Sequence, residues 1–583
     1  MIEEYYEVAV IGGGLSGVIA ALAAARSGIS TVPIQDRPVL GGNASSEFRM
    51  HVCGADNHAK RPNARETGII EEILLENKRV NPDYSYPIFD MLLLNKVQNQ
   101  DNLALHLNTY VNGVKTTGSY IDYVYGFQTT TEKEFKIYSS FFVDATGDGS
   151  ISFKAGADYV IGRESKATYG ESLAPDIADN VTMGNSIMFQ ARRVGHKVSF
   201  IKPDWAYSYS EKELAFREHR DVESGYWWIE SGGLRKDTIK DGEEVHDELL
   251  KILYGIWDHI KNSPGHDSDN LLLDWVSPIA GKRESRRILG DYVLSQKDIS
   301  DSRIFNDAVA YGGWTMDLHT PGGFASQEDV PTVWNPVEDV YTIPFSCFYS
   351  RNIGNLFVAG RIISASHVAF SSSRVMGTCA SGAEAVGNAL AIAIKNNLKD
   401  AREVGRYIKE LQQILLKNDA FIPDIINEDS YDIARSATVT ASSFIQDGNP
   451  ENVISGISRP WKGNENAWIC NIDSTPSISL KYQRSIINEI RITFDSDFSH
   501  EITPSIIKSV LDRQEYGVPS TPVKEFRIKI IDEGNVVFDN IFCTEGQRHL
   551  IIPIGKIHST EMEISLYSSY GKKIIKVFEI RIY

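Results

Sequence analysis

The sequence has few cysteines, and they are widely spaced. Five occur among 583 residues, and no C-x-x-C pair predicts a redox disulfide or a zinc site, so we expect no metal. Free cysteine is usually a small buried side chain. We interpret four of the five in this way and set Cys53 apart because of its neighbours. The five are Cys53, Cys347, Cys379, Cys470 and Cys543.

Positive charge is scarce too. Asp and Glu number 77 against 59 Lys and Arg, which gives a formal net charge of −18 at pH 7. This excess of negative charge argues against nucleic acid or an anionic membrane as a partner. The length predicts at least two domains, and 42% hydrophobic with 23% charged residues is typical of globular proteins.

Long apolar runs are missing as well. Residues 8–25 are apolar and small, but they follow the acidic segment MIEEYYE, where a signal peptide needs positive charge. No later run approaches the roughly 18 apolar residues of a membrane-spanning helix. We therefore expect a cytoplasmic protein with no membrane partner, and a trimmed signal peptide is the alternative.

What the sequence does contain is a strand–turn–helix–strand pattern near its N-terminus. Val8–Ile11 is a short apolar run, typical of a strand buried on both faces of a parallel sheet. Leu15–Arg26 is rich in alanine and predicts a helix, and Ser30–Ile34 predicts a second strand. Together these segments form a βαβ unit.

The turn between the first strand and the helix carries the spacing G-x-G-x-x-G. Gly12 permits the tight turn, Gly14 lets the backbone approach a pyrophosphate, and Gly17 lets the helix pack closely on the strand. The free N–H groups of the helix N-terminus, at Leu15 and Ser16, would face the phosphates. Because the motif lies between a strand and a helix, it predicts a dinucleotide site.

A polar side chain at the end of the second strand is the candidate for the ribose. Dinucleotide sites usually carry an acidic residue about 20 residues after the first glycine. Gln35 occupies this position and Asp36 follows it. We predict that the Gln35 amide oxygen accepts a ribose hydroxyl, with Asp36, or neither residue, as the alternatives.

Further motifs carry a resemblance to a known family. Together with the glycine turn they resemble, in the expected order from residue 8 to about 395, FAD-dependent oxidoreductases with the glutathione-reductase-type FAD-binding fold. There are departures, because Arg361 stands where many relatives have Asp, and Gln35 where they have Glu. The segments that carry the resemblance are Arg37–Asn43, Asp144–Gly149, Arg283–Gly290, Val358–Arg361 and Ser373–Ala380.

The resemblance implies FAD as the cofactor and an α/β, Rossmann-type FAD-binding domain with an inserted substrate or cap region. It implies that Gly377 and Thr378 open a helix facing the flavin, that Val111 contacts adenine, and that Arg361 offsets pyrophosphate charge. The implied FAD-binding residues are Gly12, Gly14, Leu15, Ser16, Gly17, Gln35, Asp36, Arg37, Gly41, Gly42, Asn43, Val111, Ala145, Thr146, Gly147, Gly360, Arg361, Arg374, Met376, Gly377 and Thr378.

The pattern changes after residue 430. Alternation of period two, as at Ile490, Ile492 and Phe494, predicts an antiparallel β-sandwich of the jelly-roll type over 431–583. This region resembles discoidin, or F5/8 type C, modules, in which loop aromatics often stack on galactose-type sugars. Trp461 is the candidate for such stacking here, although we favour a packing role for Trp461 and Trp468.

Residues 1–430 then form the FAD-binding oxidoreductase domain. Its cofactor-binding pieces are expected at about 1–160 and 275–400, and the substrate or cap region at about 160–350. No second glycine motif of this kind follows a strand, so a separate NAD(P)H domain is not evident. The oligomeric state and the electron acceptor stay open.

Candidate catalytic residues lie between the cofactor segments. His367 follows a cofactor-binding strand and could take a hydroxyl proton, or could instead be a structural hydrogen-bonding residue. Arg49, His51 and Cys53 alternate and could share one face of a strand facing the flavin, although a purely structural strand is favoured. Arg283 belongs to a charge-rich segment that could bind a substrate anion or form ion pairs within the protein. The charged residues of this segment are Arg283, Glu284, Arg286 and Arg287.

The resemblance implies an FAD-dependent oxidoreductase that oxidises a carbohydrate-derived or other small hydroxylated substrate by hydride transfer. One alternative is a flavin-dependent lyase or isomerase acting without net redox change, and a second is a non-enzymatic glycan-binding protein. His319 is a weaker catalytic candidate. Covalent attachment of FAD at His51, His58, His367 or one of the cysteines also stays open.

Overall fold

The structure is a computed structural model, and it describes residues 1–55 and 64–583. The helices are α1 (Leu15–Arg26), α2 (Ile69–Val80), α3 (Tyr86–Gln98), α4 (Ser150–Ala155), α5 (Lys166–Tyr169), α6 (Gly242–Asn262), α7 (Gln296–Ser300), α8 (His367–Ser373), α9 (Met376–Lys395), α10 (Ile408–Lys417) and α11 (Lys508–Leu511). The strands are β1 (Ile2–Ile11), β2 (Thr31–Ile34), β3 (Thr109–Thr117), β4 (Tyr120–Gln128), β5 (Lys133–Asp144), β6 (Tyr159–Val160), β7 (Asn185–Ser186), β8 (Phe189–Arg193), β9 (Ser224–Gly225), β10 (Glu230–Ser231), β11 (Leu271–Val276), β12 (Arg287–Ile288), β13 (Ala308–Gly312), β14 (Met316–His319), β15 (Thr332–Asn335), β16 (Tyr341–Pro344), β17 (Leu356–Val358), β18 (Thr438–Ala441), β19 (Trp468–Asn471), β20 (Ser477–Phe494), β21 (Val523–Asp532), β22 (Asn535–Cys543), β23 (His549–Ser569) and β24 (Ile574–Ile582).

The chain divides into two compact units. The first comprises residues 1–55, 86–408 and 504–512, and the second the described residues of 56–85 with 409–503 and 513–583. The first unit carries the mixed α/β sheet and the second an antiparallel all-β sheet, so the predicted fold class is confirmed.

A six-stranded sheet organises the first unit. Its order is β2-β1-β5-β4-β3, and β17 also pairs with β5. The pairs of β1 with β2, β1 with β5 and β17 with β5 are parallel, whereas β4 is antiparallel to both β5 and β3. The run Val8–Ile11 is at most 3% exposed because it lies at the centre of this sheet. The parallel strands therefore direct their carboxyl ends, and the glycine turn after β1, toward one edge.

Two helices pack closely on each other beside the parallel strands. A Cβ on Gly387 of α9 would lie 2.5 Å from the carbonyl oxygen of Ala20 in α1, so only glycine allows this approach. Both helices are rich in small residues, which permits short distances between their backbones. The N-termini of α1 and α9 each lie within a motif that is predicted to bind the cofactor.

The cap region of the first unit has a hydrophobic core of its own. The strands β11, β8 and β9 form an antiparallel sheet, and α6 packs beside it. The buried aromatics Trp228 and Trp257 belong to this core, together with Phe324. Most of the segment between β8 and β9 has neither helix nor strand.

The second unit is built on antiparallel strands in the order β19-β24-β20-β23-β21-β22, with β18 paired to β20. The alternating residues Ile490, Ile492 and Phe494 are fully buried in its core, as the period-two pattern predicts. Trp468 is also fully buried, and the Trp461 ring lies edge-on to Phe421 at 5.4 Å between ring centroids. In the described part of the chain, no helix is long and apolar enough to cross a membrane.

Candidate active site

Two glycines of the turn after β1 are required by the packing of the protein itself. Gly12 has a φ of +107°, and a Cβ there would lie 2.3 Å from the Ala145 carbonyl oxygen. A Cβ on Gly17 would lie 1.8 Å from the Gly12 carbonyl oxygen. Any larger side chain at either position would therefore displace the backbone of the turn or of its neighbour.

Gly14 is different, because the protein leaves space beside it. Apart from its chain neighbours, the described atom that a Cβ on Gly14 would approach most closely is the Gly42 Cα, at 4.0 Å. The N–H groups of the first turn of α1, at Leu15, Ser16 and Gly17, have no acceptor within the helix. An open space bounded by glycine and by a helix N-terminus suits an anion such as a diphosphate.

A second glycine loop lies against this turn. The Gly41 N–H donates to the Gly13 carbonyl oxygen at 2.9 Å, and Gly41 pairs with Gly14 in a parallel bridge. Gly41 and Gly42 have φ values of +106° and +59°, which favour glycine. Asn43 donates from its side chain to the Lys282 carbonyl oxygen at 3.2 Å. The segment after β2 thus forms the second wall of the space beside Gly14.

Gln35 supports the glycine turn directly. Its Oε1 accepts the Gly13 N–H at 2.7 Å, and its Nε2 donates to the Val39 carbonyl oxygen at 3.2 Å. The residue is 4% exposed. An amide oxygen has two lone pairs, so one stays available for a ribose hydroxyl, and that role stays a prediction. Asp36 is exposed.

Two further predicted contacts lie near the end of β2. The Thr109 N–H donates to the Gln35 carbonyl oxygen at 2.8 Å, and the Asn108 N–H to the Arg37 carbonyl oxygen at 3.2 Å. These bonds bring the start of β3, with Val111 two residues further on, to the cofactor end of the sheet. Val111 is buried. The adenine contact stays a prediction.

The turn after β5 is shaped by a buried carboxylate. Asp144 accepts from the Thr146 N–H and hydroxyl through Oδ1, and from the Ser152 N–H and hydroxyl through Oδ2, at 2.7–3.1 Å. These four bonds fix the path of Ala145 and Gly147. Ala145 meets Gly12, as described above, so this motif forms the third wall of the space beside the glycine turn.

An arginine lies against that turn. Arg361 follows β17, and a Cβ on Gly147 would lie 2.8 Å from both of its terminal nitrogens. Arg361 and Lys282 both pair with Asp148, at 3.3 and 2.6 Å. Although burial alone would raise the pKa of Asp148, the charges of Lys282 and Arg361 hold it below its usual value.

This cluster has two cations and a single carboxylate. In addition, the Arg361 Nε is buried and has no hydrogen-bond partner among the described residues. An unsatisfied buried donor is costly, and a surplus positive charge favours an anion. Together with the space beside Gly14, these features fit the diphosphate of FAD.

The prediction that Arg49, His51 and Cys53 lie on one strand is wrong. Residues 49–54 form neither helix nor strand, and Arg49 has a φ of +59°, which an extended strand does not permit. The Arg49 guanidinium donates to the Gln190 side chain at 2.6 Å and lies 4.1 Å from the Trp275 ring centre.

The same loop approaches the N-terminus of α9. The Cys53 carbonyl oxygen accepts the Gly377 N–H at 2.7 Å, and Thr378 is buried in the first turn of the helix. His51 is half-buried. His58, considered above for covalent attachment, lies outside the described residues.

Three consecutive residues connect the parts of the site. Lys282 pairs with Asp148 of the cofactor cluster, Arg283 with Glu230, and Glu284 with His367. The charge-rich segment therefore serves internal ion pairs, which was one of its two predicted roles. Arg286, in the same segment, lies 4.2 Å from the Phe153 ring centre.

The first of these ion-pair clusters surrounds Glu284, which is fully buried. Its Oε1 accepts from His367 Nδ1 at 2.9 Å, and Arg287 donates to the same carboxylate. Burial alone would raise the pKa of Glu284, but the charge and hydrogen bond of His367 and the charge of Arg287 hold it below its usual value. Glu284 is therefore an ionised acceptor for the histidine ring.

His367 begins α8, and its N–H donates to Glu164 Oε2 at 2.9 Å. Because the Glu284 carboxylate accepts at Nδ1, the proton of the neutral ring belongs on Nδ1 and the lone pair on Nε2. Nε2 has no hydrogen-bond partner in residues 1–55 and 64–583. The hydrogen bond at Nδ1 thus orients the His367 ring, and Nε2 is left with its lone pair available.

The second cluster surrounds Glu230, which is 3% exposed. His319 Nδ1 lies 2.5 Å from Glu230 Oε2, and Arg283 NH1 lies 3.4 Å from the same oxygen. Burial alone would raise the pKa of Glu230, but the charges of His319 and Arg283 lower it to about 2. Burial lowers the pKa of Arg283, which also donates to the Trp227 carbonyl oxygen at 2.8 Å.

The second ring nitrogen of His319 also has polar partners. Its Nε2 lies 3.3 Å from Asp317 Oδ2 and 3.2 Å from Arg374 NH2, which itself donates to Asp317 at 2.8 Å. Burial alone would raise the pKa of Asp317 as well, but the hydrogen bond and the charge of His319 hold this pKa well below its usual value. The Arg374 Nε is buried without an acceptor among the residues described.

Three tryptophans lie next to this cluster. The Trp227 ring lies edge-on to His319 at 5.4 Å and to Trp334 at 6.2 Å, and Trp334 lies edge-on to Trp314 at 6.2 Å, between ring centroids. Trp334 is 50% exposed, so the group reaches the surface. Aromatic side chains with an exposed face next to buried charges are typical of a ligand site.

Glu230 and Asp317 were not among the residues predicted from the sequence, and His319 was only a weaker candidate. Glu230 is isolated in the sequence and belongs to no motif. Asp317 and His319 do alternate on β14, so they share one face of that strand. That alternation is the one signal by which this part of the site could have been found.

Comparison with known proteins identifies the family. The family described as FAD dependent oxidoreductase matches residues 7–415. A geranylgeranyl bacteriochlorophyll reductase-like protein from Thermoplasma acidophilum is 13% identical over 72% of this chain and 86% of its own, with a TM-score of 0.32.

Other solved structures match about a quarter of the chain. A fucose binding module from Streptococcus pneumoniae is 18% identical over 26% of this chain and 96% of its own, with a TM-score of 0.21. A family 32 carbohydrate-binding module from C. perfringens NanJ, in complex with galactose, is 16% identical over 26% and 97%, with a TM-score of 0.19. No curated protein matches. Because the family match covers most of the sequence, this chain belongs to the FAD dependent oxidoreductase family and is an FAD-dependent enzyme.

Proposed function

We propose that this enzyme oxidises a CH–OH group of a small, hydroxylated, carbohydrate-derived substrate, with His367 as the base. Bound FAD supplies the acceptor for the hydride that leaves the substrate carbon. The hydroxyl proton goes to His367 Nε2, so the alcohol carbon becomes a carbonyl carbon and its two electrons leave with the hydride. The observation that carries this proposal is the free Nε2 of a histidine whose Nδ1 is held by an ionised carboxylate.

The surroundings of His367 suit proton uptake. Glu284 fixes the tautomer that leaves a lone pair on Nε2, and it stabilises the imidazolium that forms when the proton arrives. Glu164 accepts the main-chain N–H of His367 at 2.9 Å and pairs with Arg287, so it helps to hold the start of α8 in place. His319 lacks this freedom, because Glu230 holds one of its nitrogens, and Asp317 and Arg374 hold the other. His319 is therefore a positioning residue.

The substrate would bind against the tryptophan group. The C–H faces of a sugar ring pack on aromatic rings, and Trp334 and Trp227 present such rings beside the buried cations Arg374 and Arg283. The unsatisfied Nε of Arg374 is a donor for a hydroxyl or carboxylate oxygen of the substrate.

FAD would be held by main-chain groups and by the Arg361 cluster. The N–H groups at the α1 N-terminus and the Arg361 guanidinium would bind its diphosphate, and Gly14 would allow the close approach. The N-terminus of α9, at Gly377 and Thr378, would face the flavin with its positive end. The remaining residues of this proposed site are Gly12, Gly17, Gln35, Asp36, Arg37, Gly41, Gly42, Asn43, Val111, Ala145, Thr146, Gly147, Gly360, Arg374 and Met376.

The test is an anaerobic titration of the FAD-loaded enzyme with a panel of mono- and oligosaccharides and sugar acids, followed through the visible absorbance of the flavin. Bleaching by one member of the panel is expected, together with a product that carries one carbonyl in place of one alcohol. Oxidised flavin that persists while substrate is converted would overturn the proposal in favour of a lyase or isomerase. A panel that leaves both flavin and sugars unchanged would overturn the carbohydrate assignment.

The His367→Ala variant makes the same titration specific to the proposed base. The variant is expected to bind FAD and sugar but to bleach far more slowly than the parent enzyme. His196→Ala is the matched control, because His196 is exposed in the cap region and has no part in the site. Equal bleaching rates in His367→Ala and the parent would exclude His367 as the base.

A further inference from the structure

Four metal-ligating side chains meet in the cap region, away from the clusters described above. They are Glu211, His219, His259 and His266, and one ligand atom from each lies within 4.8 Å of all the others. Glu211 and His219 belong to the segment between β8 and β9. His259 lies in the last turn of α6, and His266 lies in the connection from α6 to β11.

The distances in this group already approach those of a coordinated metal. Glu211 Oε2 lies 3.1 Å from His259 Nε2 and 3.5 Å from His219 Nε2. In a tetrahedral zinc site with bonds of roughly 2.0–2.1 Å, neighbouring ligand atoms are about 3.4 Å apart. A cation between these three atoms would therefore need little movement of the side chains.

Two of the histidines are oriented by backbone carbonyls. His219 Nδ1 lies 2.5 Å from the Arg217 carbonyl oxygen, and His259 Nδ1 lies 3.0 Å from the Tyr209 carbonyl oxygen. A carbonyl oxygen only accepts, so both Nδ1 atoms carry a proton, and both neutral rings direct a lone pair from Nε2 toward Glu211. Metal-bound histidines are held in this way, by a hydrogen bond from the second ring nitrogen.

The third histidine supplies an independent observation. His266 Nε2 is buried and lacks a hydrogen-bond partner within the described ranges of the chain. Its ring centre lies 5.3 Å from that of His219 and 5.0 Å from that of His259. A buried ring nitrogen without a partner is costly, and so is the crowding of three ligand nitrogens within 4.8 Å of one another with no cation between them. A bound cation would remove both costs.

We propose that Glu211, His219, His259 and His266 bind one zinc ion. Imidazole nitrogen and carboxylate oxygen are both common zinc ligands. Four protein ligands complete a tetrahedral shell and leave no position for a substrate, so the site is structural. The zinc would attach the segment between β8 and β9, which has little regular structure, to the end of α6.

The proposed zinc site is also connected to the active site. Arg217, two residues before His219, donates from its guanidinium to the carbonyl oxygens of Gly323, Ser326 and Asp329, at 2.6–3.2 Å. These three carbonyls belong to the loop between β14, which carries His319, and β15, which carries Trp334. Zinc is therefore expected to hold the loop that positions the tryptophan group.

This site could not be predicted from the sequence, because the spacing of its ligands matches no familiar metal-binding motif. Thirty-nine residues, including most of α6, lie between His219 and His259. Only the folding of α6 against the irregular segment brings the three rings together.

The test is metal analysis by inductively coupled plasma mass spectrometry on the FAD-loaded enzyme, expressed without a histidine tag in zinc-supplemented medium. A single zinc per chain is expected in the parent and in His196→Ala, and loss of zinc is expected in Glu211→Gln and His266→Ala. Glu211 is 74% exposed, so Glu211→Gln removes a ligand without disturbing the packing. Zinc retained equally in both site variants would overturn the proposal, as would a metal-free parent that fails to bind added zinc.

Cobalt substitution keeps the test independent of mutation. The parent enzyme, dialysed against a chelator and then titrated with Co²⁺, is expected to gain the strong visible absorption of four-coordinate cobalt, and Zn²⁺ is expected to abolish it. Chelation is also expected to speed limited proteolysis of the segment between β8 and β9 while FAD stays bound. Cobalt with only the weak absorption of the hydrated ion would overturn the tetrahedral site.

Discussion

At the glycine turn, the contacts that shape the site are made by the main chain, whereas around His367 and His319 they are made by buried charged side chains. A missing Cβ at Gly14 is the essential feature of the first region. In the second region, the site is shaped by side chains held by partners from other parts of the chain, as Glu284 holds Nδ1 of His367.

The difference has a physical consequence for each region. Main-chain N–H groups and a helix N-terminus need no charged partner, so the glycine turn can bind an anion without an ionisable side chain of its own. Buried carboxylates and cations are stable only as pairs, and removing one member leaves the other unpaired at high cost. Substitutions that add volume should therefore have the larger effect at the glycine turn, and substitutions that remove a charge should have the larger effect around His367 and His319.

The largest effect is expected from the second region. His367→Ala removes the proposed proton acceptor, and loss of general-base catalysis typically lowers the rate about 100- to 10,000-fold. The measurement is the rate of flavin reduction under saturating substrate, with FAD content and circular dichroism as checks on folding. His319→Gln is the comparison, and it should raise KM or lower stability more than it lowers this rate. The reverse ranking would make His319 the base.

The next largest effect tests the buried charge of Glu230. Glu230→Gln leaves Arg283 and His319 without their shared carboxylate, which should cost about 3–5 kcal/mol of stability near neutral pH. The folded-state pKa of Glu230 is lowered to about 2. The Glu230 carboxylate therefore stabilises the folded protein fully at pH values above the usual Glu pKa, and this stabilisation disappears as the pH falls toward about 2.

The measurement is the thermal unfolding midpoint of parent and variant between neutral pH and about pH 3. The difference in unfolding midpoint between parent and variant should become smaller as the pH falls. Glu244→Gln is the control, because Glu244 pairs with Lys236 at the surface, where an ion pair contributes less than about 1 kcal/mol. A difference in unfolding midpoint that stays constant with pH would show that Glu230 is not an ionised partner of His319.

The contrast between the two regions also explains what the sequence could predict. The helix predicted at Leu15–Arg26 has those bounds in the structure, because glycines determine where it begins. Helix α2 likewise begins at Ile69, directly after Gly68, whose φ of +87° is not helical. The predicted strand through Arg49 fails for a similar reason, since a positive φ is not visible in side-chain alternation.

The side-chain clusters lie beyond this kind of prediction. Glu230, Arg283 and Arg374 come from three separate segments, and only the fold brings them around Asp317 and His319 of β14. Their residue types are common, so neither spacing nor composition distinguishes them from surface charges. The zinc ligands proposed above are separated in the same way.

A smaller effect is expected at the glycine turn. Gly14→Ala has room for its Cβ in the protein but fills the space proposed for the diphosphate, so the variant should fold and bind FAD about 10- to 100-fold more weakly, equivalent to roughly 1.4–3 kcal/mol. The measurement is FAD affinity by quenching of flavin fluorescence. Gly405→Ala is the control, since within residues 1–55 and 64–583 only its own local backbone lies within 4 Å of its Cβ position. Unchanged affinity in Gly14→Ala would place the diphosphate elsewhere.

The smallest effect is expected at the surface edge of the tryptophan group. Trp334 is half exposed, so Trp334→Ala removes a stacking face without opening the core, and a stacking contact contributes about 0.5–1.5 kcal/mol. KM for the sugar should therefore rise roughly 2- to 12-fold with kcat nearly unchanged. Trp205→Ala is the matched control, because Trp205 is 53% exposed and packs edge-on against Tyr254 instead. Equal KM values in both variants would remove the tryptophan group from the substrate site and leave only the buried charges there.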